Sequence, residues 1–141
     1  MPNPSIALQA ITRVQALLAG GLTGIPGGVT LDRASAFKKD QAPAVVIEID
    51  SEDAAPLHND GERVTLNFSV VFFARQDNWQ TTLDQLRVAS HSLLIADAAL
   101  SELVSGLRRT NASWDWDAAE GTAAEHVQRY TCQYYTNTPN L

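Results

Sequence analysis

An α+β fold, with a mostly antiparallel sheet of four or five strands and two principal helices packed on one face, follows from three patterns in this 141-residue chain. The first lies near the N-terminus, where Ile6, Ala10, Ile11, Val14, Leu17 and Leu18 fall on one side of a helix. The second runs from Arg63 to Arg75, where Val64, Leu66, Phe68, Val70 and Phe72 alternate with Thr65, Asn67, Ser69, Val71 and Phe73. A repeat of every second residue sends the first set, all large and apolar, to one face of a strand. The third is the order helix, strands, helix, strands, with connections short enough to favour antiparallel neighbours.

Taken in order, Ser5 is placed to cap the first helix, and Gly20-Gly21 closes its pattern. Residues 20–28 hold five glycines and a proline and read as a flexible loop. Val29-Thr30-Leu31 suits a short strand. Pro43 opens a β-branched strand, Ala44 to Asp50, at a position where its missing N–H removes only an edge donor. Ser51 to Glu62 then reads as a loop carrying Glu52, Asp53, Asp60 and Glu62, and long loops in compact domains are commonly functional or mobile.

Thr81 or Thr82 is placed to cap a second helix ending near Ala96, with Leu83, Leu86, Ala89, Leu93 and Leu94 on its buried face. Asp97 opens a short turn or helix over residues 98–104. Two strands close the chain, about Gly106–Asp117 and about Ala124–Thr136, joined by a turn at Ala118–Thr122. In the first, Trp114 and Trp116 share a face expected in the core, and Asp115 and Asp117 share the face in water. In the second, Tyr130, Cys132 and Tyr134 alternate with Val127, Arg129 and Thr131. Residues 136–141 read as a loose tail, and 1–141 as one domain.

The formal net charge is −6, from 10 basic and 16 acidic side chains, which opposes binding to a phosphate backbone. It suits a soluble surface, or one that sits near DNA without adhering to it. The lone cysteine, Cys132, forbids an internal disulfide and suggests a reducing compartment. No secretion signal and no membrane span is expected, so the compartment reads as cytoplasmic.

No catalytic constellation emerges. His58, His91, His126 and Cys132 stand at no metal-ligand pair spacing, so no metal or cofactor is expected. Ser90 and His91 are neighbours on a helix and point about 100° apart, which does not make a base–nucleophile pair. The glycine-rich stretch lacks Gly-Lys-Ser/Thr and follows a helix rather than a strand. The expectation is a non-enzymatic assembly part.

The chain as a whole resembles the tail terminator proteins of long-tailed bacteriophages, the lambda-type family. The likeness is carried by the N-terminal amphipathic helix, Pro43-Ala44-Val45-Val46-Ile47, and the alternating strand with Val71-Phe72. It continues through Leu83-Asp84, Ala99-Leu100-Ser101-Glu102-Leu103, Trp114-Asp115-Trp116 and the Tyr-rich last strand. The resemblance implies a six-membered homo-oligomeric ring in the virion tail, assembled in the host cytoplasm. Such a ring caps the tail tube, stops its polymerisation and meets a head-completion or connector protein, with DNA passing through the lumen. Asp50, Glu52, Asp53, Asp60 and Glu62 are then candidates for the lumen or for tube contacts, and Gly24 and Pro26 for contacts in the glycine-rich loop. Other tail completion or head-closure proteins share this size and element order. A small ligand-binding module with a cavity lined by Trp114 and Tyr134, or an enzyme with an unrecognised site, are the other readings.

Overall fold

A computed structural model describes residues 4–31, 42–58, 60–75, 78–117 and 123–137. Helix α1 (Ile6–Gly21) leads to β1 (Val29–Thr30), β2 (Ala44–Pro56) and β3 (Gly61–Ala74). Helices α2 (Trp79–Ala96) and α3 (Ala98–Leu103) follow, then β4 (Ser105–Asp117) and β5 (Ala123–Asn137). The strands form one five-stranded sheet in the order β1-β2-β3-β5-β4. Every pairing is antiparallel except that of β1 with β2. The architecture is α+β, as expected from the sequence.

The helices cover one face of the sheet. Ala10, Ile11, Val14 and Leu18 of α1, Leu83, Leu86 and Leu94 of α2 and Leu100 of α3 share a buried cluster with Val64, Leu66, Phe68, Val70 and Phe72 of β3. Phe68 stacks on Tyr130, ring centroids 5.3 Å apart. Burying apolar surface at about 25 cal/mol per Å² makes this helix face the main source of stability. On the opposite face a smaller cluster joins Ala44, Val46, Val71 and Phe73, with Val127 against it.

Helix starts divide by their caps. Ser5 Oγ accepts from the Leu8 N–H at 3.2 Å, as its position predicts. Helix α2 begins at Trp79 rather than Thr81, after Asn78, whose side chain makes no cap hydrogen bond. Its buried face uses Ser90, while Ala89 is exposed and Leu93 half-buried, because the helix lies rotated relative to the purely apolar stripe. Asp97 accepts from the Leu100 N–H at 2.8 Å and caps α3. The same carboxylate takes two bonds from Arg13, 2.9 Å from Nε and 2.7 Å from Nη2, which tie α1 to the α2–α3 corner. That bidentate pairing holds the Asp97 carboxyl below its ordinary value.

Of the two expected loops, the second is largely regular structure and the first holds, shortened by two residues. Residues 51–56 belong to β2 and 61–62 to β3, so the hairpin registers from Ala44↔Phe73 out to Pro56↔Glu62, with one irregularity between Ile49 and Ser51. Asp, Glu, Ala and Pro have weak strand preference, yet β3 supplies a paired edge, and pairing overrides preference. The turn closes with the Leu57 N–H donating to Gly61 O at 2.9 Å. The glycine-rich loop is shorter than expected because Gly20 and Gly21 remain in α1. Its remainder is tied down: Gly27 N–H donates to Pro43 O at 3.2 Å, and Val45 N–H to Gly28 O at 3.0 Å. The turn expected over Ala118–Thr122 and the tail beyond Asn137 lie outside the described residues, while Thr136 and Asn137 complete β5.

Candidate assembly surfaces

The acidic residues singled out from the sequence gather at one end of the sheet, on the outer half of the β2–β3 hairpin, but they divide between its faces. Strand partners point to the same side, so the pair Glu52↔Leu66 places Glu52 on the helix face. Glu62, two residues before Val64, shares that face and is half-buried. Asp53, paired with Thr65, projects from the opposite face and is exposed. Asp50 sits at the strand irregularity and accepts from the Ser69 hydroxyl at 2.5 Å. Asp60 occupies the tip with φ of 65°, a left-handed conformation that Asp tolerates better than most residues.

Glu52 is tied into the sheet. The Tyr134 hydroxyl of β5 reaches across β3 and donates to Glu52 Oε1 at 2.7 Å. Burial of Tyr134, its bond to Glu52 and the nearby charge of Glu62 all push its phenol well above the ordinary value. The acid cluster therefore sits on a supported strand rather than on a free loop. Gly24 and Pro26 lie far along the chain at the end of α1; both are exposed, and Gly24 has φ of 72°. Ile25 between them packs against the core, which anchors that turn.

Strand β4 corrects the sequence expectation most clearly. Trp114 is 39% exposed and Trp116 is 61% exposed, where a place in the core was expected. They do point to the helix face, but β4 is the edge strand and lies past the main helical cover. What they meet is the first turn of α2. Trp79 stacks on Trp116 at 5.9 Å between centroids and tilts against Trp114 at 6.3 Å, while Trp114 packs on His126 at 4.1 Å. With Gln80, Asp84 and Gln85 these tryptophans line an open groove of about 570 Å³. Asp115 is exposed, as expected. Tyr134 is no part of this groove; it lies towards the far end of β5, so Trp114 and Tyr134 do not line one cavity.

A buried polar line along β5 escaped the sequence reading. His126 Nε2 donates to Gln128 Oε1 at 3.0 Å, Gln128 Nε2 donates to the Tyr130 hydroxyl at 3.5 Å, and that hydroxyl meets His91 Nδ1 of α2 at 3.0 Å. Among the described residues, His126 Nδ1 is left without a hydrogen-bond partner. Burial pulls the His126 pKa down, which keeps the imidazole neutral, and burial pushes that of Tyr130 up. The signal available in the sequence was alternation: polar His126 and Gln128 stand at the same parity as Tyr130 and Cys132. Among the described residues, no group of three or more His, Cys, Asp or Glu side chains is placed to share a metal ion. No described helix is long and apolar enough to cross a membrane.

Among the described residues, fold and surfaces define an α+β domain whose sheet carries an acidic hairpin towards one side and a tryptophan-bearing strand, β4, at the other. No protein-family model and no curated protein matches the sequence. Among solved structures the chain is similar to one described as "Virion of native gene transfer agent (GTA) particle". The two are 11% identical over 90% of each chain, with a TM-score of 0.43.

Proposed function

We propose that this chain is a structural morphogenesis protein of a phage-type tail, a subunit of a ring that caps the tail tube and ends its polymerisation. On this reading the ring forms the tail side of the head–tail joint, and DNA passes through its lumen without specific binding. The protein is not an enzyme; it is built into the virion after assembly in the host cytoplasm. The whole-chain resemblance to tail terminators names the assembly. The observation that carries the reading is the sheet itself, which among the described residues ends on one side in a 13-residue strand, exposed from Ser105 to Trp116 except at Leu107, with no further strand beyond it. An edge of that length presents backbone donors and acceptors that a solitary domain normally shields. Net negative charge suits a lumen that DNA must traverse without adhering.

The test is tube length. Adding the purified chain to a polymerising tail tube protein should arrest growth and leave each capped tube with a ring at one end. Tubes that lengthen without limit in its presence would remove the proposal. The tryptophan groove favours a second reading, a module that binds a flat apolar ligand between Trp79, Trp114 and Trp116. Saturable quenching of tryptophan fluorescence by such a ligand, with no effect on tubes, would favour it instead.

A further inference from the structure

The two edges of the sheet carry opposite charge at the same level. On the β2 side, Ile47 to Pro56 contains Glu48, Asp50, Glu52 and Asp53 and no basic residue. Strand β1 pairs with β2 only at Val45 and Val46, so among the described residues the outer half of β2 has no strand on that side. On the other side, β4 carries Arg108 and Arg109 and has no acidic residue from Ser105 to Ser113. Both arginines are exposed, and neither makes an ion pair among the described residues.

The registers place these charges in common rows. One row runs Ser51–Asn67–Thr131–Arg108 and the next Ile49–Phe68–Tyr130–Arg109. Arg108 therefore stands level with the Asp50–Asp53 segment at the opposite edge, and it projects from the same face as Asp53. Arg109 shares the helix face with Glu52. Beside Arg109 that face opens a cleft of about 190 Å³, lined also by Arg87, His91 and Gln128, which suits a carboxylate. Ile49, in the Arg109 row, is 45% exposed, an apolar side chain left uncovered on the acidic edge.

We infer that a second copy of this chain docks its β2 edge, Ile49 to Asp53, against the β4 edge, Ser105 to Asn111, of the first. Because β2 and β4 run in opposite directions within the sheet, repeating the sheet in the same sense makes the new pair antiparallel. Irregularities in β4 on either side of the arginines, between Ser105 and Arg108 and between Arg109 and Asn111, limit the backbone ladder. Side-chain charge then sets the register. Like charges oppose β2-to-β2 and β4-to-β4 contacts, which leaves the head-to-tail arrangement, the type that closes rings. This inference rests on the assembly reading and specifies its interface.

Sedimentation and mass measurement on charge-swapped chains test it. R108E/R109E and E52R/D53R, each shown by circular dichroism to be folded, should each lose self-association, by roughly a hundredfold or more since like charges then face each other. Mixing the two variants should restore assembly, because the native β2 edge of one meets the native β4 edge of the other and the two swapped edges are again of opposite charge. The neutral pair E52Q/D53N, which keeps side-chain shape, should weaken association less and reduce its salt dependence. Charge-swapped chains that assemble as the wild type does, or a mixture that fails to recover, would overturn the interface alone. A wild-type chain that never self-associates would overturn both the interface and the assembly reading.

Discussion

Replacing Tyr134 by Phe removes one oxygen and leaves a buried ring, so it isolates the side-chain bond that β5 adds to the β3-paired acidic segment of β2. The hydroxyl donates to Glu52 Oε1 at 2.7 Å, and Tyr134 is 4% exposed and packed in the core cluster. Hydrogen bonds to charged groups contribute up to about 3 kcal/mol when both partners are sequestered. Here Glu52 is exposed and regains water when the hydroxyl is lost, so the net cost falls to about 1 kcal/mol. In a domain of this size that lowers Tm by roughly 3–5 °C, and urea unfolding should show a lower midpoint at unchanged slope. Hydrogen exchange adds a local readout, with faster exchange over residues 51–56 and unchanged protection around Phe68. Wild-type stability together with wild-type exchange in that segment would show that the bond adds nothing to the β3 pairing, and the stabilising role given to it would fail.

Three further outcomes follow from the geometry. Gly20 lies in α1 with no atom within 4 Å of an added Cβ, so Gly20→Ala should raise stability by about 0.5 kcal/mol; Gly24, equally open but at φ of 72°, should lose about 1 kcal/mol on the same change, both read by urea unfolding. Burial pushes the Cys132 thiol up from 9.0 to about 11, so its stabilising contribution is complete below pH 9 and is lost as pH rises to about 11, a fall of about 2–3 kcal/mol at roughly 1.4 kcal/mol per unit. Cys132→Ala should flatten that alkaline slope in pH-dependent unfolding, leaving the later fall from the raised phenols of Tyr130 and Tyr134. Arg13 holds the Asp97 carboxyl low, so that contribution is present above the ordinary carboxylate pKa and is lost on acidification through the lowered folded value. Asp97→Asn, which can still cap α3, should show a shallower acid transition.

What could be read from the chain depended on whether local pattern and tertiary setting agreed. The β3 alternation was legible because one face is buried along nearly the whole strand, and the α1 stripe because its apolar spacing matches the helix. Residues 51–56 were not, since their polar and Pro-containing sequence forms a strand only through pairing with β3. Trp114 and Trp116 read as core because large aromatics usually are; their exposure follows from the edge position of β4, which no residue of β4 announces. The acids lie together, as their closeness in sequence suggests, but their faces were not legible, because the irregularity at Asp50 shifts the alternation. Nothing in the sequence pattern sets the Arg108–Arg109 pair apart, and its significance emerges only when the registers set it level with Asp50–Asp53.

Assembly into a closed ring is the claim on which the account stands, and the solution mass of the wild-type chain tests it most directly. Across a wide range of concentration the account predicts a transition from monomer to one discrete assembly of fixed copy number, weakened by salt as the charged edges are screened. A strict monomer at every concentration, or a dimer built on a two-fold contact, would contradict it.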